Sequence, residues 1–230
     1  MNLIYQCHIA RTEPRFVTIS SEAFRKYAGL CKADYTYSST QYFKHRKEWK
    51  NLNFYYEIFR LIYDPSFDVY DNILFVDTDV IPITNISIFD SVDLSKCDIM
   101  ACFEKHMQGL TDTSNQWINN CRRYGIEVND WHKFYNDVSF NTGVVLFTKK
   151  ARQQMRQAFD SWDLWMETYD DSIWEYTDQP FFNIQCYKHN INVAPMNTIW
   201  NSDYLNPVKD ARFIHYSNYQ GKEQLVKDYG

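Results

Sequence analysis

The chain has 230 residues, a formal net charge of −5 and 45% hydrophobic residues. This length suits one domain with a sizeable core, and the acidic balance without a dense basic stripe argues against a nucleic-acid surface. Aromatic residues make up 18% of the chain, which indicates either an aromatic-rich core or rings that line a groove where sugars stack.

The N-terminus and the cysteines bear on cellular location. Residues 1–6 have no basic segment followed by a long apolar one, so no signal peptide is predicted, and no apolar run is long enough for a transmembrane segment. No Cys-x-x-Cys pair or zinc-module spacing occurs among the cysteines, which are typical of free thiols in a reducing compartment. We therefore expect a cytoplasmic protein. The six cysteines are Cys7, Cys31, Cys97, Cys102, Cys121 and Cys186.

The first third of the chain alternates short apolar runs with helical patterns. Ser20 or Ser21 is the expected cap of the first helix, and Asp64-Pro65 is expected to end the second, which is amphipathic. The predicted strands are residues 3–9 and 33–37, and the predicted helices are residues 20–31 and 49–63.

The rest of the chain continues the alternation after a polar stretch at residues 111–137, which is predicted to be a loop with a short helix. Strands alternating with helices predict an α/β fold whose sheet is covered on both faces. The predicted strands are residues 73–76, 98–103, 139–147 and 213–216, and the predicted helices are residues 150–166 and one that starts at 178.

The strand at residues 73–76 ends in two carboxylates, Asp77 and Asp79, separated by Thr78. Side chains alternate along a strand, so both carboxylates are expected on one side. Two anions this close repel each other and are costly to keep ionised unless a cation lies between them. Since ligands of open α/β sheets bind at the carboxyl ends of strands, the motif predicts a divalent-metal site. A solvated turn or a helix N-cap is the alternative.

Four motifs in one order resemble the GT-A fold nucleotide-sugar glycosyltransferases, and most closely glycosyltransferase family 8. They lie between residues 49 and 222; single-domain glycosyltransferases of large DNA viruses are the other group considered. The four motifs are Asp77-Thr78-Asp79, the Phe140-Asn141-Thr142-Gly143 strand, Asp178-Gln179 at a helix start, and His215-Tyr216 followed by Gly221-Lys222. The family's closing Pro-Trp after the lysine is missing here.

The resemblance implies a GT-A (Rossmann-like) mixed central sheet with helices on both faces. It also implies a single domain, 1–230, with a nucleotide-sugar-binding half at 1–105 and an acceptor and metal-completing half at 106–230. The metal ligands would be Asp77, Asp79 and His215. Their mixed oxygen and nitrogen donors on a diphosphate suit Mn²⁺, with Mg²⁺ as the alternative. For His215 the alternative is a satisfied core histidine.

The resemblance also assigns contacts to a UDP-sugar donor. Lys222 would pair with a phosphate, or else be an exposed lysine in a polar tail. Arg60 would contact the donor sugar or support the carboxylates, or else form a surface salt bridge. Thr78 would present mainly its backbone, and Lys50 is a weaker candidate.

Two further motifs would face the sugar. Asn141 can bond sugar hydroxyls, and Gly143 allows close backbone approach, or else marks a β-bulge. Asp178 and Gln179 are assigned as catalytic stabilisers of positive charge on the sugar, without a nucleophile. A simple N-cap is the alternative for Asp178.

Together these features predict a metal-dependent hexosyltransferase that acts on a glycan or another hydroxyl acceptor, with retention of configuration expected from the resemblance alone. The acceptor would meet residues 105–135 and 200–204, whose Trp117, Trp131, Tyr135 and Trp200 could stack on sugars or simply pack. Two other readings remain: a non-catalytic carbohydrate- or nucleotide-binding protein of the same fold, and a haloacid-dehalogenase-type phosphatase, which also uses Asp-x-Asp but on its first strand.

Overall fold

A computed structural model of the chain describes residues 1–10, 12–43, 55–103, 139–161 and 178–230. Short 3₁₀ turns lie at Tyr55–Phe59, Pro65–Val69, Leu94–Lys96 and Thr198–Trp200. The strands are β1 (Asn2–Cys7), β2 (Asp34–Ser38), β3 (Asn72–Val76), β4 (Val80–Pro82), β5 (Ile99–Phe103), β6 (Phe140–Thr148), β7 (Val193–Pro195), β8 (Ser202–Asp203) and β9 (Phe213–His215). The helices are α1 (Arg15–Leu30), α2 (Arg60–Tyr63), α3 (Ile88–Ser91), α4 (Lys149–Ala158), α5 (Asp178–Lys188) and α6 (Asn218–Tyr229).

The main sheet has the strand order β2-β1-β3-β6-β5-β7 within the described ranges. Strand β6 runs antiparallel to its neighbours β3 and β5, whereas the other neighbouring pairs are parallel. The sheet is therefore mixed, as predicted. Because β6 is antiparallel, its first residues lie at the same edge as the carboxyl ends of β1 and β3.

Both faces of this sheet are covered, which confirms the predicted layer arrangement. Successive residues of β3 point to opposite faces. Leu74 lies in a buried cluster with Phe24 of α1, while Phe75 lies in a second cluster with Phe182 of α5. The fully buried rings of this second cluster account for part of the high aromatic content, in favour of the core interpretation.

A second, small sheet has the order β4-β9-β8 and was not predicted as a sheet. Strand β4 begins directly after the carboxylate motif, and β9 pairs antiparallel with it. Strand β8 pairs parallel with the other side of β9. The three strands are only two or three residues long, so their pattern is too short to recognise in the sequence. This sheet brings the late part of the chain to the end of β3.

The expected serine cap of the first helix is wrong. Helix α1 begins at Arg15 after an extended Pro14, and no side chain caps it. Ser20 and Ser21 are buried on the same face as Phe24. Two serines on the inward face interrupt the apolar pattern, so the pattern does not indicate that the helix begins at Arg15.

Two other helices are shorter than predicted where the structure describes them. Residues 55–59 form a 3₁₀ turn before the four-residue α2, and residues 49–54 of that prediction lie outside the described ranges. Helix α4 ends at Ala158 because Phe159 takes an extended conformation, and its buried ring lies edge-on to those of Phe181 and Phe182. The predicted loop at residues 111–137 is also outside the described ranges.

None of the helices in the described part of the chain is long and apolar enough to cross a membrane. The five cysteines that the structure describes are free, and three of them are buried. Cys121 lies outside the described residues. The cytoplasmic location stays a prediction.

Candidate functional site

The carboxylate motif forms a tight turn between the two sheets. The Asp77 N–H donates to Gly143 O at 2.8 Å, which continues the pairing of β3 with β6, and the Val80 N–H donates to Asp77 O at 3.2 Å. Asp77 and Asp79 present oxygen atoms to one shared point. The two carboxylates therefore lie on the same side, as the sequence predicts.

Two buried polar side chains form hydrogen bonds with the backbone carbonyl groups of this turn. Gln6 donates from Nε2 to Asp77 O at 3.1 Å and to Ser20 Oγ at 3.0 Å. The Ser20 hydroxyl donates in turn to Val80 O at 2.6 Å. Both side chains are fully buried, so the backbone carbonyls on either side of the motif have fixed partners. Ser20 thus supports the site and does not cap a helix.

His215 reaches the carboxylates through the small sheet. It lies opposite Val80 in the β4–β9 pairing, and the Tyr216 N–H donates to Asp79 O at 2.8 Å. The His215 Nε2 atom is 3.3 Å from Asp79 Oδ1. Candidate ligand atoms of Asp77, Asp79 and His215 all lie within 4.8 Å of one another, so these three residues could hold a metal ion.

Lys222 lies on α6 and not in a polar tail. Its Nζ atom is 3.2 Å from Asp79 Oδ2 and lies over the ring of Phe16, 5.7 Å from the centroid. The side chain is only about one-third exposed. The helix after β9 therefore brings an ammonium group to the carboxylates, although the histidine-to-lysine spacing departs from the family motif.

The charges in this cluster are strongly linked. Burial and the charge of Asp79 raise the pKa of Asp77 well above its usual range. Burial alone would also raise the pKa of Asp79, but His215 and Lys222 outweigh it and hold that pKa low. Burial lowers the pKa of His215, yet Asp79 raises it overall. Since the two carboxylates penalise each other and Lys222 contacts only Asp79 in this pair, a further cation beside Asp77 would favour the ionised form of both.

The residues present fit a divalent metal ion. Asp79 Oδ1 is buried and accepts no hydrogen bond of regular geometry from the described residues, although His215 Nε2 lies nearby. A buried carboxylate oxygen of this kind is costly unless something binds it. Two carboxylates and one imidazole form a donor set that transition metals and Mg²⁺ accept.

Gly143 lies where a side chain would fill the cluster. A Cβ atom built at this position would be 2.5 Å from His215 Cε1 and 3.0 Å from both Asp77 Oδ2 and Asn141 Oδ1. Glycine is thus required for close approach between β6 and the candidate ligands. The pairing of β5 with β6 shifts register between Ala101 and Phe103, so the predicted irregularity next to this glycine is present.

The first residues of β6 and α5 bond to each other beside the cluster. Asn141 Nδ2 and the Thr142 N–H each lie 3.3 Å from Gln179 Oε1, to which they donate. Burial raises the pKa of Asp178 to about 6, although the Thr142 hydroxyl and the N–H groups of Asp178 and Gln179 act to lower it. The Asp178 carboxyl group therefore lies against the first N–H groups of α5, whose first residue is Asp178 itself.

A cleft of about 210 Å³ opens over these groups. It combines carboxylates and an ammonium group with aromatic and thiol walls, which suits a cation at the carboxylates and a flat group against the aromatic wall. Its lining residues come from β1, α1, the carboxylate turn, α5 and α6, and they include Cys7, His8, Phe16, Asp77, Thr78, Asp79, Asp178 and Lys222.

Of the remaining donor-site candidates, Thr78 lines the cleft and Arg60 does not. Arg60 bonds Asp64 at 3.3 Å and stacks on Tyr42 and Phe67, which agrees with the ion-pair alternative, and it is not among the cleft-lining residues. Thr78 lines the cleft, and its hydroxyl lies 3.3 Å from His8 Nδ1. Lys50 lies outside the described residues.

Of the four predicted acceptor-site rings, only Trp200 is described. It is almost fully buried and packs edge-on against Phe213, so it is a core residue and does not stack on a sugar. Trp117, Trp131 and Tyr135 lie outside the described ranges.

Sequence reasoning missed three residues of the site: Gln6, His8 and Asn201. His8 lines the cleft at the end of β1. Asn201 lies 2.9 Å from His215. Gln6 lies within β1, His8 directly follows β1 and Asn201 directly precedes β8, and such positions are too common in a sequence to single these residues out.

The mixed sheet, the carboxylate turn at the end of β3 and the late histidine together define a GT-A fold of the glycosyltransferase class. A family profile described as glycosyl transferase family 8 matches residues 9–222. The chain therefore belongs to glycosyl transferase family 8. This membership excludes the dehalogenase-type phosphatase alternative, as does the position of the motif on the third strand.

Solved structures agree with this fold. A glycosyltransferase involved in glycosylation of the major capsid of the virus PBCV-1 matches with a TM-score of 0.62 and 14% identity, over 98% of each chain. The galactosyltransferase LgtC, in complex with donor and acceptor sugar analogs, matches with a TM-score of 0.54 and 14% identity, over 99% of this chain and 94% of that one. At these identities the likeness shows the fold alone. Among curated proteins, none matches this sequence significantly.

Proposed function

We propose that this chain transfers a hexose from a UDP-sugar to a hydroxyl of a glycan or another acceptor, with retention of configuration. The observation that carries the proposal is the meeting of Asp77, Asp79, His215 and Lys222 at one cleft. Family membership supplies the reaction class. The proposal treats residues 1–230 as one domain, with the donor side in the first half and the acceptor side in the second.

Asp77, Asp79 and His215 would hold Mn²⁺, with Mg²⁺ as the alternative. The ion would neutralise charge that develops on the leaving diphosphate. The protein supplies the geometry, since Gln6 and Ser20 hold the backbone of the turn and β9 holds the imidazole. This support comes from fully buried groups, which reduces reorganisation during the reaction.

Lys222 would form an ion pair with the diphosphate of the donor. In this structure its ammonium group neutralises Asp79. In the donor complex the same group would turn toward a phosphate oxygen, because its side chain is partly exposed and its stem is flexible. Lys222 would thus leave the carboxylates as the leaving group gains charge.

Asp178, Gln179 and Asn141 would face the sugar. Hydrogen bonds from Asn141 Nδ2 and the Thr142 N–H to Gln179 Oε1 hold the start of α5 against the start of β6, and Asp178 lines the cleft. Asp178 and Gln179 would stabilise positive charge that develops on the sugar ring. Thr78 would contact the nucleotide mainly through its backbone. Arg60, which does not line the cleft, and Lys50 remain proposed donor-site residues.

The proposal is tested by a screen of UDP- and GDP-sugars for hydrolysis with and without Mn²⁺. We expect hydrolysis of a UDP-hexose that depends on Mn²⁺, and NMR of the released sugar is expected to show the retained anomer first. Binding of glycans without hydrolysis of any nucleotide sugar would favour the non-catalytic alternative. An inverted anomer would contradict retention only.

Replacing His215 with alanine is expected to weaken Mn²⁺ binding by more than the roughly 10–100-fold that losing a partner behind a ligand costs, because one ligand itself is lost while both carboxylates remain. Electron paramagnetic resonance of free Mn²⁺ measures this directly. His189→Ala is a matched control, since His189 stacks on Phe159 outside the cleft. An unchanged Mn²⁺ titration in His215→Ala would return this histidine to a purely structural role.

A further inference from the structure

A chain of side-chain amides connects His215 with the start of α5. His215 Nδ1 lies 2.9 Å from Asn201 Oδ1. Asn201 Nδ2 donates to Asn141 Oδ1 at 2.8 Å, and Asn141 Nδ2 donates to Gln179 Oε1 at 3.3 Å. Two asparagines therefore link the candidate metal ligand to the candidate sugar-contacting amide.

Two backbone groups fix the direction of this chain. The Gly143 N–H can only donate, and it lies 2.9 Å from the side-chain atom of Asn141, which must therefore be the oxygen. The Thr142 N–H fixes Gln179 Oε1 as an acceptor in the same way. The two backbone N–H groups give a consistent result. With Asn141 Oδ1 facing Gly143 and Gln179 Oε1 facing Thr142, Asn141 Nδ2 is the atom that donates to Gln179 Oε1. The amide orientations thus follow from hydrogen bonds whose polarity is certain.

The same logic fixes the proton of His215. Since Asn141 offers an oxygen to Asn201, the Asn201 atom that faces it must be the nitrogen. The Asn201 oxygen then faces His215 Nδ1, and an amide oxygen can only accept. His215 Nδ1 must therefore carry a proton. The opposite nitrogen, Nε2, points toward Asp79 Oδ1 and is the one that can offer a lone pair to a metal ion.

Both members of the key contact are buried and held by backbone structure. Asn201 is 1% exposed and His215 is 6% exposed. The Asn201 N–H donates to Thr198 O at 3.1 Å, and β8 begins at the next residue and pairs with β9, which carries His215. The contact is thus built into the small sheet and is not a chance surface meeting.

We propose that Asn201 is the positioning residue of His215. It keeps the imidazole proton on Nδ1, directs Nε2 toward the carboxylates, and couples this orientation through Asn141 to Gln179. The metal part of this inference rests on the proposed function, because it takes His215 as a ligand. The position of the proton is a property of the chain without metal and can be measured separately.

The proton position is tested by nitrogen chemical shifts of His215 in metal-free protein with ¹⁵N-labelled histidine, assigned with His215→Ala. With the ring in its neutral form, we expect the wild type to carry the imidazole proton on Nδ1. In Asn201→Leu, Nδ1 would face hydrocarbon, and the neutral ring should carry its proton on Nε2, toward Asp79. A neutral wild-type ring with its proton on Nε2 would overturn the inference.

The consequence for the metal is tested by Mn²⁺ titration followed by electron paramagnetic resonance. Asn201→Leu is expected to weaken Mn²⁺ binding by about 10–100-fold, the usual effect of losing a partner behind a metal ligand. Asn201→Asp keeps an acceptor for Nδ1, so it should restore the proton position and part of the affinity, although its carboxylate cannot donate to Asn141 Oδ1 as the Asn201 amide does. Asn197→Ala is the matched control, because it removes a cap of the same 3₁₀ turn and leaves the amide chain intact.

The outcomes separate this inference from the proposed function. If the wild type bound no Mn²⁺, the metal assignment would fail, and the nitrogen shifts alone would decide the role of Asn201. If the wild type bound Mn²⁺ and a folded Asn201→Leu bound it equally well, the positioning role would be contradicted while the proposed function stood. An equal loss in Asn197→Ala would also contradict it, since a loosened turn would then explain the effect.

Discussion

Replacing Asp79 with asparagine is expected to reduce sugar transfer on the order of 10³-fold, because a lost metal ligand removes several kcal/mol of charge stabilisation. Asp79 interacts with the other three charged residues of the cluster. Its charge repels that of Asp77. His215 Nε2 lies 3.3 Å from its carboxylate and Lys222 Nζ lies 3.2 Å from it. The measurement is the initial rate of Mn²⁺-dependent donor hydrolysis.

The fold should survive this substitution. Asparagine has nearly the shape of aspartate, and its introduction relieves the repulsion that raises the pKa of Asp77. We expect the melting temperature to stay within about 4 °C of the wild type, which corresponds to about 1 kcal/mol in a chain of this size. Asp93→Asn is the control, since Asp93 is exposed and bonds only its local turn. A wild-type rate in Asp79→Asn would remove this residue from the site.

The second large effect is expected for Gly143→Ala. The added methyl group would lie 2.5 Å from His215 Cε1, and the imidazole is buried on β9, a strand held between β4 and β8. Its displacement should lower Mn²⁺ affinity by about 10–100-fold, and overpacking should cost about 1–3 kcal/mol of stability. Mn²⁺ titration and thermal unfolding measure the two effects.

Gly29→Ala provides a matched control for this glycine, because a Cβ atom at Gly29 meets nothing within 4 Å. It should leave Mn²⁺ affinity and donor hydrolysis unchanged. If Gly143→Ala kept the wild-type affinity, β6 would have to be able to move away from His215, and the close approach would not be needed for metal binding.

The layers of the fold could be predicted from the sequence, because long strands and helices carry a clear apolar period. Strand β3 and the strand that contains Asn141 were both predicted close to their observed bounds. Helix α1 was predicted too short, since its inward face carries Ser20 and Ser21 where apolar residues are expected. The Ser20 hydroxyl donates to Val80 O and so holds the turn of the carboxylate motif, whereas the Ser21 hydroxyl donates to Thr18 O within the helix.

The parts of the candidate site that lie close together in the sequence could be predicted. The contacts that form only through strand pairing in the small sheet could not. Asp77 and Asp79 are two residues apart, so their proximity follows from strand geometry. Asn201 and His215 meet only because β8 and β9 pair, and these strands have two and three residues. No period can be read from such lengths, so the contact between them had to come from the structure.

The arrangement around Asp79 also explains why Lys222 was uncertain from the sequence. The departure from the family's ending suggested a polar tail, yet α6 forms and places the ammonium group at the cleft. The ammonium group thus reaches the carboxylates although the motif around it departs from the family's ending.

The central claim is that the carboxylates, the imidazole and the ammonium group together bind a nucleoside diphosphate with a divalent metal. Calorimetric titration of UDP into the wild-type protein, with and without Mn²⁺, tests this most directly. We expect binding with Mn²⁺ that is lost without the ion and in Asp79→Asn. Absence of binding by UDP and GDP in the presence of Mn²⁺ would contradict the claim.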